Sequence, residues 1–294
     1  MKLIDGKKIA AEIKHEIAAE VAGIIDAGGE APHLAAILVG DDAASQTYVR
    51  NKEKACHEVG FTSSVYRFPA TISEQKLLEA VDFVNSDEQI TGFIVQLPLP
   101  AHISADKVIE RINPLKDVDG FHPQNVGKMA LNLPTYLPAT PYGILQLLER
   151  SGIETEGKSC VILGRSNIVG TPLSLLLSRK ANPGNCTVTL CHSKSMNIKA
   201  IAAQADILIA AIGKQGYVTA DMVKDGAVVI DVGMHRVASS SSPSGFRYIG
   251  DVDFDKVAPK CSYITPVPGG VGPMTIVALI QNTFKAYRGE FAAR

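Results

Sequence analysis

Apolar residues recur at every fourth position over Ile9, Ile13, Ile17 and Val21, which stacks them on one face of a helix that Gly28 and Gly29 should end. Beyond it, apolar runs alternate with helical patterns. A strand is expected at 34–39, a helix reaching about Val59, a strand at 65–68, a helix through 77–84 and a strand at 92–97. This βαβ rhythm predicts a parallel sheet. It pauses over residues 113–141, then restarts with a helix at 142–150 and strands at 160–163, 187–190, 207–212 and 228–232. A second α/β unit follows from that. The boundary is placed at 138–141, where Pro138 and Pro141 fix the backbone and disfavour helix in the residue before each. The expected domains are 1–140 and 141–273, and a last helix within 274–294 is expected to return to the first. Four serines and a proline at 239–243 read as a flexible loop tip.

Composition then narrows the function. A chain of 294 residues is long enough for about two domains. With 29 Lys+Arg against 30 Asp+Glu, its net charge is −1, so no basic field draws it to nucleic acid or to an anionic membrane. A small, near-neutral ligand fits better. No segment approaches the roughly 18 apolar residues of a membrane helix, and charge interrupts the first 17 residues too often for a secretory signal. Cys56, Cys160, Cys186, Cys191 and Cys261 form no C-x-x-C pair. They imply neither disulfide framework nor zinc site, no metal is expected, and they read as the reduced thiols of a cytoplasmic protein.

Several motifs fail on context. Residues 152–159 (GIETEGKS) have the spacing of a phosphate loop, but such a loop follows a strand and opens a helix so that N–H groups converge on phosphate. Here the expected order is helix, loop, strand, and Glu154 and Glu156 would repel the anion. Residues 251–255 (DVDFD) begin like a calcium loop, yet Lys256 and Ser262 stand where Gly and Glu are required. His15-Glu16 and His57-Glu58 each lack the second His that zinc needs one turn later.

Other segments keep their chemistry. Residues 159–177 (SCVILGRSNIVGTPLSLLL) run from a strand through Gly164 and Gly170 into an apolar helix. That order aims backbone N–H groups and a positive helix end at a dinucleotide phosphate, although a glycine-capped turn has the same spacing. An NAD site ends its second strand in an acid that bonds the ribose 2′-hydroxyl. Here that strand runs into Cys191-His192-Ser193-Lys194 and offers no carboxylate. A 2′-phosphate would find Arg165 and Ser193, so NADP is preferred to NAD.

Tyr48 and Lys52 lie four apart on the helix after the first long strand and so share a face. A snorkelling surface lysine beside a half-buried tyrosine has the same spacing. Gln96 closes an apolar strand just before Pro98 and Pro100, which leaves an amide at the end of the sheet. In residues 117–123 (DVDGFHP), either a structural turn or a carboxylate accepting from a ring's amino and imino groups fits. Residues 265–275 (TPVPGGVGPMT) precede the last helix; their glycines admit a ligand close to the backbone and their prolines hold the loop.

Together, YVRNKEKACHEVG (48–60), QLPLP (96–100), KDVDGFHP (116–123), GRSNIVGTP (164–172) and TPVPGGVGPMT (265–275) resemble the bifunctional methylenetetrahydrofolate dehydrogenase/methenyltetrahydrofolate cyclohydrolase family, in order and spacing over nearly the whole chain. The resemblance implies two α/β domains, an N-terminal catalytic βαβ domain and a Rossmann-type NADP-binding domain with a cleft between them, assembled as a homodimer. It implies NADP-linked oxidation of 5,10-methylenetetrahydrofolate to the methenyl form and hydrolysis of that to 10-formyltetrahydrofolate, in one-carbon metabolism and purine biosynthesis. By motif position, Lys52 is the catalytic lysine, Tyr48 stacks on the folate, Gln96 supports Lys52 and substrate beside Leu97 and Pro98, and Asp119 binds the pterin. Pro268, Gly269 and Gly270 would face the folate. Gly164, Arg165, Ser166, Ile168 and Ser193 would hold NADP, with Ala211, Gly213, Val232, Gly233, Met234 and Thr275 along its remaining length.

Water attack on the methenyl cation requires proton handling. A lysine at its ordinary pKa of about 10.4 is a poor base near neutrality, so Lys52 needs burial or a nearby cation, and neutral Gln96 would orient it without adding charge. The chain departs from the family's usual wording at Ala139 (commonly Cys), Ser195 (frequently Thr) and Gln215 (frequently Pro). The long polar stretch 178–187 is expected to alter the adenine edge or an oligomer contact. A dehydrogenase-only relative and a non-catalytic nucleotide-binding regulatory protein are the competing readings. Lys52 with Gln96 argues against the first, and the intact set Tyr48, Lys52, Gln96 and Asp119 against the second.

Overall fold

A computed structural model describes residues 1–239 and 245–291; residues 240–243 of the expected loop tip lie outside the described residues. The elements are β1 (Lys2–Leu3), α1 (Gly6–Asp26), β2 (His33–Val39), α2 (Ala43–Glu58), β3 (Thr62–Phe68), α3 (Glu74–Ser86), β4 (Gly92–Val95), α4 (Ala105–Arg111), α5 (Pro123–Ala130) and α6 (Ala139–Arg150). There follow β5 (Ser159–Leu163), α7 (Gly170–Ser178), β6 (Thr187–Cys191), α8 (Ile198–Ala202), β7 (Ile207–Ala210), β8 (Val228–Asp231), β9 (His235–Ala238), β10 (Phe246–Ile249), α9 (Phe254–Val257), β11 (Tyr263–Ile264) and α10 (Val271–Tyr287). Contacts divide the chain into two compact units, Ala11–Ala139 with Ile276–Arg294, and Met1–Ala10 with Thr140–Thr275. Residues 1–10 therefore leave the domain expected over 1–140. The cause is β1, which pairs in parallel with β11, Lys2 against Tyr263 and Leu3 against Ile264. A two-residue strand carries no periodicity to read.

In the first unit β2 lies between β3 and β4, parallel to both. Six of its seven residues are buried, the apolar run expected of a parallel strand covered on both faces. Ala35, Ile37, Val39, Phe93 and Val95 pack against Leu77, Val81 and Val84 of α3 and Val108 of α4. The four-residue repeat Ile9, Ile13, Ile17 and Val21 is buried along α1. Strand β4 ends at Val95, two residues earlier than expected, just before Pro98 and Pro100, which have no N–H to offer a ladder. Even so, the Gln96 N–H still donates to Ile37 O at 2.9 Å.

The expected loop over 113–141 contains α5, whose start is capped by His122 Nδ1 accepting from Gln124 N–H at 3.0 Å. Gly120 takes φ +74, and a Cβ there would stand 2.8 Å from Leu137 C and Pro138 N. Asn282 of α10, fully buried, donates from Nδ2 to both Val118 O and Leu137 O at 2.8 Å. One amide thus pins the Asp117–Gly120 turn to the last helix.

The second unit holds a six-stranded sheet in the order β1-β11-β8-β7-β5-β6, all its pairs parallel. The two-domain parallel α/β expectation is met. Strand β5 has β6 on one side and β7 on the other, so the winding reverses there and a crevice opens at the carboxyl ends of the strands, where doubly wound sheets bind ligands. An antiparallel ribbon, β9 with β10, stands apart from this sheet; its four-residue strands escaped the sequence pattern.

Residues 152–159 run into the start of β5, turning through Gly152 and Gly157 at φ +65 and +71. A strand follows them, which is the wrong order for a phosphate loop. The 178–187 stretch folds against this turn, with Gly184 N–H donating to Thr155 Oγ1 and Gly157 N–H to Asn185 O, both at 2.9 Å. It sits at the amino end of β6, because α7 runs back from the carboxyl end of β5. No helix among the described residues is long and apolar enough to cross a membrane.

Asn282→Ala would take this donor from the buried Val118 carbonyl and the part-buried Leu137 carbonyl, a loss of about 2–4 kcal/mol. Urea unfolding of the full chain measures it; a loss below about 1 kcal/mol would show that the turn is held by other contacts.

Candidate active site

Helix α2 starts at Asp42, whose side chain accepts from Ser45 N–H at 2.7 Å, and runs on from the carboxyl end of β2. Tyr48 and Lys52 occupy successive turns of it. Because β4 pairs directly with β2, Ile37 against Val95, the residue after β4 comes level with α2. Lys52 Nζ donates to Gln96 Oε1 at 3.1 Å, and Gln96 Nε2 donates to Leu97 O at 2.7 Å. The second bond fixes the orientation of the amide, so its oxygen faces the lysine. The surface-lysine alternative is thereby set aside: Lys52 is half-buried and its head group has a specific partner.

Asp119 completes the group from the turn that Asn282 pins. Burial lowers the Lys52 pKa, opposed by the charge of Asp119. Burial raises the Asp119 pKa, opposed by Lys52 and reinforced by Asp117. Each group is thus moved toward its neutral form, and the attraction between their charges resists this. One turn beyond Lys52, burial pushes the Cys56 thiol up to about 12, so it stays protonated and outside the proton chemistry.

Asp117 itself went unread in the sequence. It is 1% exposed, and its Oδ2 accepts from His122 N–H and Asn125 Nδ2, both at 2.8 Å, while Asn125 Oδ1 accepts from Thr135 Oγ1 at 2.8 Å. This network shapes the turn that presents Asp119. Only its place in the DVDG turn was visible beforehand; its burial was not.

The remaining residues lie in the six-stranded unit, at the carboxyl ends of its strands. Gly164 follows β5 at φ +121, and a Cβ there would be 2.1 Å from Ala211 O; at Gly170 one would be 1.9 Å from Gly164 O. Only glycine lets these backbones touch. Helix α7 has Val169 at its N-cap with no side-chain cap bond, and Thr171 N–H donates to Ser166 O at 3.1 Å. Arg165, Ser166 and Ile168 are exposed around it. Leu163 pairs with Cys191, which brings Ser193, also exposed, beside the Arg165 turn. Ser195 Oγ accepts from His192 N–H at 3.0 Å; serine in place of the usual threonine keeps that hydroxyl.

Ala211 and Gly213 follow β7, and Val232, Gly233 and Met234 follow β8. Two large apolar side chains, Ile168 and Met234, are more than 40% exposed here. An exposed cation, a hydroxyl and uncovered apolar surface suit a dinucleotide's phosphates and rings. Thr275 Oγ1 lies 3.0 Å from Thr140 Oγ1. Pro268, Gly269 and Gly270 also belong to this unit, where Lys7 N–H donates to Gly269 O at 3.0 Å and Gly6 packs on Gly270.

Comparison with known proteins agrees with both halves. Residues 4–119 match the tetrahydrofolate dehydrogenase/cyclohydrolase catalytic domain, and residues 138–291 match the NAD(P)-binding domain of the same family. The second match includes residues 276–291, which by contacts group with the first unit. The bifunctional protein FolD of Cytophaga hutchinsonii is 60% identical over 286 residues, covering 97% of this chain and 99% of that protein. The bifunctional enzyme FolD, a methylenetetrahydrofolate dehydrogenase/cyclohydrolase, from Campylobacter jejuni has a similar structure, with TM-score 0.92 and 46% identity over 99% of this chain and 100% of that one. The Trypanosoma brucei enzyme, solved with NADP cofactor and an inhibitor, has TM-score 0.92 and 38% identity over 99% and 98%. Matched in both domains, in order and over nearly its full length, the chain belongs to the tetrahydrofolate dehydrogenase/cyclohydrolase family.

Proposed function

We propose that the protein oxidises 5,10-methylenetetrahydrofolate to the 5,10-methenyl form with NADP and hydrolyses that product to 10-formyltetrahydrofolate. The observation that carries this is the half-buried Lys52 amine held by the neutral Gln96 amide beside Asp119, in a chain whose family is the dehydrogenase/cyclohydrolase one. Folate binding is assigned to Tyr48, Lys52, Gln96, Leu97, Pro98 and Asp119, with Pro268, Gly269 and Gly270. Cofactor binding is assigned to Gly164, Arg165, Ser166, Ile168, Ser193, Ala211, Gly213, Val232, Gly233, Met234 and Thr275. The reading extends to a cytoplasmic homodimer that supplies formyl groups for purine synthesis. Five free, buried thiols support the reducing compartment, and the family resemblance supports the dimer.

In the first step NADP, when bound, serves as the hydride acceptor. The protein's part is orientation more than acid–base work, because a folate nitrogen lone pair stabilises the cation that hydride loss leaves. Tyr48 offers a ring face to the folate, and the Asp119 carboxylate accepts from the pterin's amino and imino N–H groups. In the second step a water oxygen bonds to the methenyl carbon. The neutral fraction of Lys52 takes one of the water's protons; one C–N bond of the bridge then breaks as the carbonyl forms, the remaining O–H proton passing to the departing nitrogen, and the formyl group stays on the other nitrogen. Burial enlarges that neutral fraction by lowering the lysine pKa. Gln96 aims the amine without the negative charge that would hold its proton on.

The decisive assay supplies 5,10-methylenetetrahydrofolate with NADP or NAD and follows reduced cofactor and the methenyl form together. Fast NADP reduction with little methenyl accumulating, plus rapid hydrolysis of added methenyl substrate, is the expected result. No folate-dependent reduction with either cofactor would refute the reading. Lys52→Ala is expected to slow methenyl hydrolysis by about 10²–10⁴-fold, the usual worth of a general base; near-normal hydrolysis would sink the role of Lys52.

The cyclohydrolase rate should rise with pH along a limb centred below the ordinary lysine value of 10.5, since burial lowers the Lys52 pKa. Gln96→Glu places a carboxylate against the amine, favours the ammonium form and moves that limb to higher pH. A limb that stays put or moves to lower pH contradicts the assignment. Arg165→Ala should reduce the preference for NADP over NAD by about tenfold or more, the scale of one charge-assisted hydrogen bond to phosphate. An unchanged ratio of the two kcat/KM values would show that Arg165 does not read the 2′-phosphate.

A further inference from the structure

Two carboxylates that neither step employs are buried among the loops after β7 and β8. Asp251, with no exposed surface, accepts on Oδ2 from the N–H groups of Ile212 at 2.7 Å and Gly213 at 2.9 Å, and on Oδ1 from His235 Nε2 at 2.7 Å. Asp231, 3% exposed, accepts on Oδ1 from Gly233 N–H and Asp251 N–H at 2.9 Å, and on Oδ2 from Val252 N–H at 3.0 Å. Its own N–H donates to Thr265 Oγ1 at 2.7 Å.

The packing around this pair is closed. A Cβ on Gly233 would stand 2.4 Å from Asp251 Oδ1, and one on Gly250 1.8 Å from Asp231 Oδ2. In the sequence Asp251 belongs to a stretch that fails as a calcium loop. In the structure its carboxylate faces protein donors alone among its recorded partners.

Every segment tied together here borders the assigned cofactor residues. Ile212 and Gly213 are the turn after β7, next to Ala211. Gly233 lies between Val232 and Met234, and His235 opens β9 immediately after Met234. A turn with two adjacent N–H groups and a residue at φ +74, as at Gly213, has several accessible conformations unless an acceptor fixes both N–H groups at once. One carboxylate oxygen does so here, and the other holds the first residue of the neighbouring ribbon.

We propose that Asp251, held in place by Asp231 and His235, is a positioning residue for the NADP site, fixing the 211–213 and 232–234 turns before the dinucleotide binds. This rests on the assignment of NADP to those turns. Its effect falls on cofactor affinity and on the dehydrogenase, because Lys52, Gln96 and Asp119, which serve water attack on the methenyl carbon, lie in the other unit.

The test compares wild type with Asp251→Ala, Asp251→Asn, His235→Ala and His235→Gln in the full chain, each with native circular dichroism. NADPH affinity is read by fluorescence titration, amide exchange over 211–213 by mass spectrometry without ligand, and cyclohydrolase on added methenyl substrate. Asp251→Ala is expected to raise the NADPH Kd and the NADP KM about tenfold or more, to speed exchange over 211–213, and to leave cyclohydrolase within about twofold. Asp251→Asn keeps an oxygen for both amides and should recover most of the affinity. His235→Ala should weaken NADPH severalfold, and His235→Gln, whose amide can still donate to Asp251, should restore it.

Equal loss of both activities, or unchanged Kd and exchange in Asp251→Ala, overturns the proposal. Should Asp251→Ala fail to fold, the His235 pair decides: equal NADPH affinity in the Ala and Gln variants overturns it. A wild-type protein that does not bind NADPH refutes the cofactor assignment and the proposal with it, a failure visible before any variant is made.

Discussion

An ammonium group withdrawn from water needs something in place of its hydration, and what replaces it decides whether the group stays charged. For Lys52 the bonded replacement is one neutral amide oxygen, that of Gln96, with the Asp119 charge acting less strongly than burial. A carboxylate in the Gln96 position would satisfy the amine better and hold its proton on. Much of the first unit serves this one arrangement. Strand β2 must be central for α2 to meet the end of β4, and the Gln96 amide must be turned by Leu97 O.

The opposing charge is positioned with equal care. Asp119 sits on a turn that is pinned on one side by the Asn282 amide and shaped on the other by the buried Asp117–Asn125–Thr135 network. Gly120 lets the chain pass Leu137 and Pro138 at a distance no side chain would permit. These contacts join the last helix, the turn and the segment before α6. A substitution at Asn282, remote in sequence from Asp119, therefore bears on the same turn.

The six-stranded unit handles buried charge in the opposite way. Asp231 and Asp251 are surrounded by backbone N–H donors and one histidine, so their oxygens are satisfied by the loops they organise. Lys52 is given one neutral acceptor, and burial lowers its pKa; the two aspartates are each given several donors. In both cases the parallel sheet supplies the frame, because loops that leave the same end of neighbouring strands converge without long connections.

The sequence by itself determined the element rhythm, the parallel sheets, the glycine turn after β5 and the pairing of Lys52 with Gln96 at the end of the first sheet. Those features are local or repeat at fixed spacing: a buried strand is an apolar run, and a turn with positive φ selects glycine. Tertiary structure alone decided the rest. Strand β1 is two residues long and takes its identity from β11, more than 250 residues away. The polar 178–187 stretch is placed by Thr155 and Gly157, at the strand ends opposite the dinucleotide turn. Asp117, Asp231 and Asp251 look like surface acids in a sequence, since nothing local marks a carboxylate for burial. What makes each tolerable there is a set of donors, some of them distant in sequence, that only the folded chain assembles.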